Sequence, residues 1–295
     1  MSNATVEAKV PRRSLFGLRE RYGRLPVIPA TILGLLIICA IFAPWIAPHN
    51  PVRTDVMSNM MPPVWHEGGS WNYILGTDTL GRDILSRIMY GTRLSLSLAL
   101  LTILIGGSVG IVLGMVSGYQ GGLIDAIIQR GVEAMLSLPT ILVALVFVFT
   151  FGFGFVNVVL ILSPFVAANF ARMVRGETLA LKERDFVAVA KVIGTSKPAI
   201  IFRHILPNVT NTAIVLATLE IGHLILVESS LSFLGVGIPP PNPAWGLMVS
   251  EGRQYIATGY WISLFPGLVI MATVLSLNLF GDWLRDALDP RRKSL

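Results

Sequence analysis

The chain has 295 residues, of which 53% are hydrophobic and only 14% are charged. A soluble domain of this size carries roughly 25% charged residues, so the composition excludes an ordinary soluble enzyme and points to a chain that lives among lipids. The net charge of +6 would suggest a nucleic-acid partner in a soluble protein, but in an apolar chain it reflects basic residues flanking membrane spans, and no nucleic-acid partner is expected.

Residues 1–26 form a basic tail with Lys9, Arg12, Arg13, Arg19, Arg21 and Arg24, expected to turn helical near the membrane. It does not read as a cleavable signal peptide, because polar and basic residues fill it before the first apolar run. Val27 to Ala47 carries no charge and is long enough for a hydrocarbon core of about 30 Å, so 27–47 is the first expected span. The single cysteine, Cys39, lies inside that run, which excludes an intrachain disulfide; nothing suggests a metal site.

Residues 48–93 form a long polar connection. Pro51, Pro62, Pro63 and Gly68-Gly69 make its first half irregular, whereas Ile84 to Tyr90 reads as a short amphipathic helix. Asp78, Arg82, Asp83 and Arg87 are expected to form a salt-bridge network that folds this loop, with direct contact to a substrate or partner as the alternative.

Leu94 to Val116 is the second expected span, where Gly106, Gly110, Gly114 and Gly118 recur every fourth residue. This places them on one helix face, suited to close approach of a neighbouring backbone; a pore lining is the other reading. A tight turn is expected at Gly118–Gly122, with Asp125 then suiting the positive end of a new helix and Arg130 neutralising Glu133. Ala134 to Ala171 has no charge and is too long for one span, so Gly152-Phe153-Gly154 is expected to divide it in two.

Between the fourth and fifth spans lies a basic region that includes Arg172, Arg175, Lys182, Arg184, Lys191, Lys197 and Arg203. Within it, Phe186, Ala190 and Ile193 share one face of a short helix. Gly194 supplies a left-handed stop, Ser196 a cap, Pro198 a first-turn residue and Pro207 a new start. Two short helices of this kind suit docking into a groove on another protein, although an ordinary interfacial loop has the same outline.

Val209 to Val227 is the fifth expected span. Glu220, His223 and, at its end, Glu228 are ionisable groups at membrane depth, where such groups usually face a bundle interior or a wet cavity. Glu220 and His223 stand three residues apart, so a structural pair, a lining of a translocation path and a proton relay are all open readings. Residues 229–259 form a second connection stiffened by prolines, in which Trp245 is expected to anchor at the headgroups or to form a partner-facing lip. Tyr260 to Gly281 is the sixth span, and residues 285–295 form a second basic tail.

Six spans put both termini on one side. The two tails, the basic region and the second–third connection hold 18 of the 23 Lys and Arg residues, leaving Arg53, Arg82, Arg87, Arg93 and Arg253 opposite. The positive-inside rule therefore places both termini and the basic region in the cytosol. The fold class expected is an all-α membrane protein of six transmembrane helices, with 94–284 as its core and a cytosolic loop, 176–208, between spans 4 and 5.

The stretch 183–208 resembles the "EAA" loop of ABC-importer permeases, matching it at Ala190, Gly194, Leu206 and Pro207, while Asp185, Lys191 and 202–208 resemble the peptide-importer branch. Ala188 stands where that family usually has Glu, Val189 where it has Ala, and His204 where it has Ile; Asp185 or Glu183 is the substitute carboxylate within reach. Gly76-Thr77-Asp78, Gly81-Arg82-Asp83, Ser86-Arg87, Gly91 and Arg93-Leu94-Ser95 resemble that branch's external signature. So do Ser230–Gly235, the Pro239–Gly246 stretch and the Asp282–Arg291 ending.

The chain is thus similar to the second permease subunit of dipeptide and oligopeptide ABC importers, in the cell inner membrane. That resemblance implies a related second permease, two cytosolic ATPases carrying ATP and Mg, and an external substrate-binding protein. It also implies that Asp185, Phe186, Ala188, Ala190, Ile193, Gly194, Arg203, Leu206 and Pro207 belong to the ATPase-coupling loop. The chain itself has no G-x-x-x-x-G-K-[ST] phosphate loop, so neither a catalytic residue nor a bound cofactor is expected. An ion-coupled secondary transporter is the rival reading, for which Glu220, His223 and Glu133 are the available groups.

Overall fold

The computed structural model describes residues 25–288. The helix expected in the basic tail near the membrane and the Asp289-Pro290-Arg291 ending lie outside those residues. Among the described residues ten α-helices carry the fold: α1 Val27–Ile46, α2 Ile84–Gln120, α3 Gly122–Ser137, α4 Thr140–Phe151, α5 Phe155–Lys182, α6 Asp185–Val192, α7 Lys197–Ile200, α8 Leu206–Phe233, α9 Trp245–Gly252 and α10 Trp261–Leu288. Five continuous helical stretches are long and apolar enough to cross a membrane: α1, α2, α5, α7 running into α8, and α10. The third expected span is instead the pair α3 and α4, bent by 88°; counted as one crossing, it makes six.

The bend falls at Leu138-Pro139. Proline lacks the amide a continuing helix needs and forces its predecessor out of the helical region, and Leu138 is extended (φ −91°, ψ 133°). The expected division at Gly152-Phe153-Gly154 is present, with Gly152 at φ +93° and Gly154 at φ +138°, conformations that a side chain resists. Asn157 Nδ2 donates to Phe151 O (3.1 Å) and Gly152 O (2.9 Å), satisfying carbonyls that the end of α4 leaves open.

The second span is longer than its apolar run. The amphipathic stretch at Ile84 and the span from Leu94 are one helix of 37 residues, because Asp83 caps it seven residues before Tyr90: its Oδ2 accepts from Ser86 N (2.9 Å) and Ser86 Oγ (2.5 Å). Gly118 and Tyr119 belong to this helix rather than to a turn; the chain reverses at Gly121 and Gly122, both with positive φ.

The four-residue glycine stripe packs rather than lines a pore. A Cβ on Gly110 would lie 2.5 Å from Ala167 O, one on Gly114 2.7 Å from Ala171 O, and one on Gly118 2.8 Å from Thr178 Cβ, so all three sit against α5. The obstructing atoms at Gly110 and Gly114 are backbone, which leaves no side-chain movement as relief. Gly110→Ala is therefore expected to destabilise the protein by roughly 1–3 kcal/mol. Gly34→Ala, where nothing lies within 4 Å, should leave stability unchanged; thermal melts of the detergent-solubilised protein compare the two.

Arg172–Lys182 continues α5 as helix, so the break before the docking segment falls at Glu183. Arg175 is not a loose basic residue: its guanidinium donates twice to Asp125 (2.6 and 2.6 Å), and Ser117 Oγ also donates to Asp125. This clasp joins α2, α3 and α5. The expected Arg130–Glu133 pair is not among the described ion pairs; Asp125 and Arg175 make the neutralisation there instead.

Candidate functional site

At one end of the bundle, α6 and α7 form a helix pair between the long helices α5 and α8. Gly194 takes φ +79°, and the Gly194 and Thr195 amides donate back to Lys191 O (3.1 Å) and Ala190 O (3.0 Å), a glycine stop of the expected kind. Ser196 holds the cap position of α7 without a side-chain bond, and Pro198 lies in its first turn. A single widened turn, Ile201–Ile205, then joins α7 to α8, with Pro207 in that helix's first turn.

The face that α6 buries differs from the expected one. Val187 and Ala190 point inward, packed with Val174, Ile200, Ile205 and Val209. Phe186 and Ile193 point outward, because packing against Val174 and Ile205 turns the Val187–Ala190 edge of the helix inward. The outer surface is strongly apolar: Phe186 is 41% exposed, Val189 59%, Ile193 74% and Val192 86%. Asp185, Ala188 and Arg203 are exposed beside it, Leu206 is half-buried and Pro207 exposed at the start of α8.

The polar connections gather at α9 and the start of α2. Asp78 Oδ2 accepts from Arg82 Nε (2.7 Å) and from Arg87 Nη1; Arg82 Nη2 donates to both Glu251 oxygens (3.1 and 3.1 Å); Arg87 Nη1 reaches Glu251 Oε2 (2.8 Å). Asp78 and Arg87 are almost fully buried. The expected network is therefore present, with two changes. Asp83 stands outside it as the cap of α2, with His49 Nδ1 at 3.5 Å. Glu251, 164 residues from Arg87, completes it.

Trp245 is packed inside the protein and presents no surface to headgroups. It is fully buried, its indole donates to Ile88 O (3.0 Å), and a Cβ on Gly91 would meet its ring at 2.6 Å, so the glycine in α2 makes the slot that holds it. Trp261 likewise donates to Thr77 O (3.1 Å). In the loop between α1 and α2, the Ser58 hydroxyl bond holds the Asp55 carboxyl below the usual carboxylate range.

Near the middle of the bundle, Leu136, Leu138 and Thr140 at the α3–α4 bend, Phe165 and Asn169 of α5, and Glu220 and His223 of α8 line a small, partly open cavity of about 60 Å³. Glu220 Oε1 accepts from Asn169 Nδ2 (3.1 Å) rather than pairing with His223. Its Oε2 is buried and has no partner. Glu228 is apart from this cavity and almost fully buried, accepting from Ser232 Oγ (2.7 Å), whose oxygen also accepts from Ile238 N (3.3 Å).

These features define a helical membrane protein whose cavity lies between spans and whose exposed apolar helix pair lies at one end. Residues 110–294 match the family of the binding-protein-dependent transport system inner membrane component, and residues 24–63 match the N-terminal TM domain of oligopeptide transport permease C. The chain belongs to this family of inner-membrane permease components. It is 40% identical over 290 residues to the dipeptide transport system permease protein DppC of Haemophilus influenzae (98% of each chain). It is 41% identical to the protein of that name in Escherichia coli K12, over 99% of this chain and 98% of that one. It is also 40% identical to the glutathione transport system permease protein GsiD of Escherichia coli O6:K15:H31, over 94% of this chain and 90% of that one. Among solved structures, a chain of the MetNI methionine ABC transporter in inward-facing conformations shares the fold, with TM-score 0.52 and 18% identity over 68% of this chain and 94% of that one.

Proposed function

We propose that this chain is one of two permeases in an ATP-driven importer of dipeptides, oligopeptides or similar small solutes. Its partners are a second, related permease, two cytosolic ATPases that hold ATP and Mg, and an external binding protein that delivers cargo. The observation that carries the coupling part is the outward row of Phe186, Val189, Val192 and Ile193 on a short helix set between two spans. Such a surface suits a groove on a partner, and the excess of basic residues around it supports a cytosolic position for 176–208 and both termini. Residues 48–93 and 229–259 then face outward, where the Asp78–Arg82–Arg87–Glu251 cluster and Trp245 hold an external cap together.

Coupling in this scheme is mechanical. ATP binding brings the ATPases together, α6 and α7 follow, and α5 and α8 carry the movement to the cavity that holds Glu220 and His223. The nucleotide shifts the spans only as far as the ATPases bind one arrangement better than the other.

Gly194 tests this reading. A Cβ there would meet nothing within 4 Å, but the backbone is left-handed. Gly194→Val therefore acts through local strain of about 1–2 kcal/mol and not through a clash. Uptake by the assembled importer is expected to fall about five- to thirtyfold, as a strain of that size at the coupling turn implies, with the amount in the membrane and the ATP turnover little changed. Unchanged uptake would remove the coupling role.

A further inference from the structure

We infer that Glu220 is a cation-recognition point for cargo in transit, receiving the free ammonium group of a peptide through its unpartnered Oε2. The inference rests on the reading of this cavity as part of the transport path. Its position supports it: Glu220 stands inside the fifth span, Val209 to Val227, where an ionisable group is costly and usually faces a bundle interior or a wet cavity.

The surroundings are selective. Apart from Asn169, His223 and Thr140, the groups lining the cavity are apolar, including Leu162, Phe165 and Val166. Asn169 occupies one carboxylate oxygen, leaving the other buried and without a partner, a need that a ligand with hydrogen-bond donors and positive charge would meet. A peptide amino terminus provides both, with three donors on one small centre. His223, one turn along the same wall and exposed, stands where the rest of a short peptide would pass. Among the described residues no other carboxylate lines the cavity, so one cationic group is held at a time, and held by few enough bonds to leave again.

The test uses the complete importer in detergent, with Cys39→Ser and a single reporter Thr140→Cys at the mouth of the cavity. A small maleimide labels the reporter, and a dipeptide or its N-acetylated form is added as protectant. Slowed labelling by the dipeptide is expected, with half-protection at least about tenfold weaker for the N-acetyl peptide, as loss of one charge-assisted bond implies. Glu220→Gln keeps an oxygen for Asn169 and should bring the two peptides to equal potency; Glu220→Asp should restore part of the preference. Equal protection by both peptides in the parent protein, or an unchanged preference in Glu220→Gln, overturns the ammonium assignment while leaving the path in place. No protection by either peptide overturns the path reading, and the assignment falls with it.

Discussion

Arg87→Ala is expected to destabilise the protein by about 3–5 kcal/mol, the usual cost of removing one partner from a buried charged group. Arg87 is 1% exposed and bonds both Asp78 and Glu251 through a single nitrogen, Nη1. Its removal leaves two carboxylates facing Arg82 alone, Asp78 almost fully buried and Glu251 partly so. The same cluster is the junction between the first long connection, α2 and α9, so the cap should loosen as a unit. Because only Nη1 is engaged and Nε and Nη2 have no bonding partner, Arg87→Lys should recover more than half of the loss, which a fork-like arginine site would not allow. In the double variant Arg87→Ala, Glu251→Ala the loss should be smaller than the sum of the two single losses, since the second substitution removes a charge the first leaves stranded. Thermal denaturation of the solubilised protein reads all four variants, and additive losses would contradict the cluster as described.

Val192→Asp and Ile193→Asp are expected to leave the chain folded and inserted but to abolish its capture of the ATPase. These side chains are 86% and 74% exposed, so neither supports its own fold. Burying an aliphatic side chain of this size in a partner contributes about 1.5–3 kcal/mol, and a carboxylate in its place adds a desolvation cost. The pair should therefore weaken association by about a hundredfold or more. Val187→Asp makes the opposite comparison: Val187 is fully buried under the same helix, and a charge there should unfold the segment itself. Co-purification of the ATPase with the tagged chain separates the cases. Undiminished capture by the Val192 and Ile193 variants would mean that the exposed row is a lipid contact.

Much of the architecture was legible in the sequence because charge-free runs mark spans directly. Val27–Ile46 ends within a residue of its expected boundary, and the Gly152–Gly154 division and Gly194 stop follow from residues that alone tolerate those dihedrals. The periodicity of Gly106, Gly110, Gly114 and Gly118 was equally direct, although which helix packs on it was not.

What was hidden is long-range or set by a single hydrogen bond. The Trp245 indole reaches Ile88 O across 157 residues and lies against Gly91, a contact that no local pattern announces. Glu251 lies in a stretch with no periodic signal, and its pairing with Arg82 and Arg87 exists only once α9 folds back onto α2. The inward face of α6 was misjudged because Phe186–Ala190 and Val187–Ala190 are both permissible helical spacings; packing against Val174 and Ile205 selects the second. The 88° bend at Leu138-Pro139 was not read from the sequence, where only Gly152–Gly154 divided the charge-free run.

The most direct measurement of the central claim is uptake of a radiolabelled dipeptide into proteoliposomes holding this chain and its permease partner, with binding protein outside. With the ATPases present, uptake is expected only when ATP is supplied on their side, and an imposed proton or sodium gradient should change nothing. Uptake driven by a gradient without ATPases or ATP would contradict it, and would make Glu220 and His223 ion-coupling groups instead.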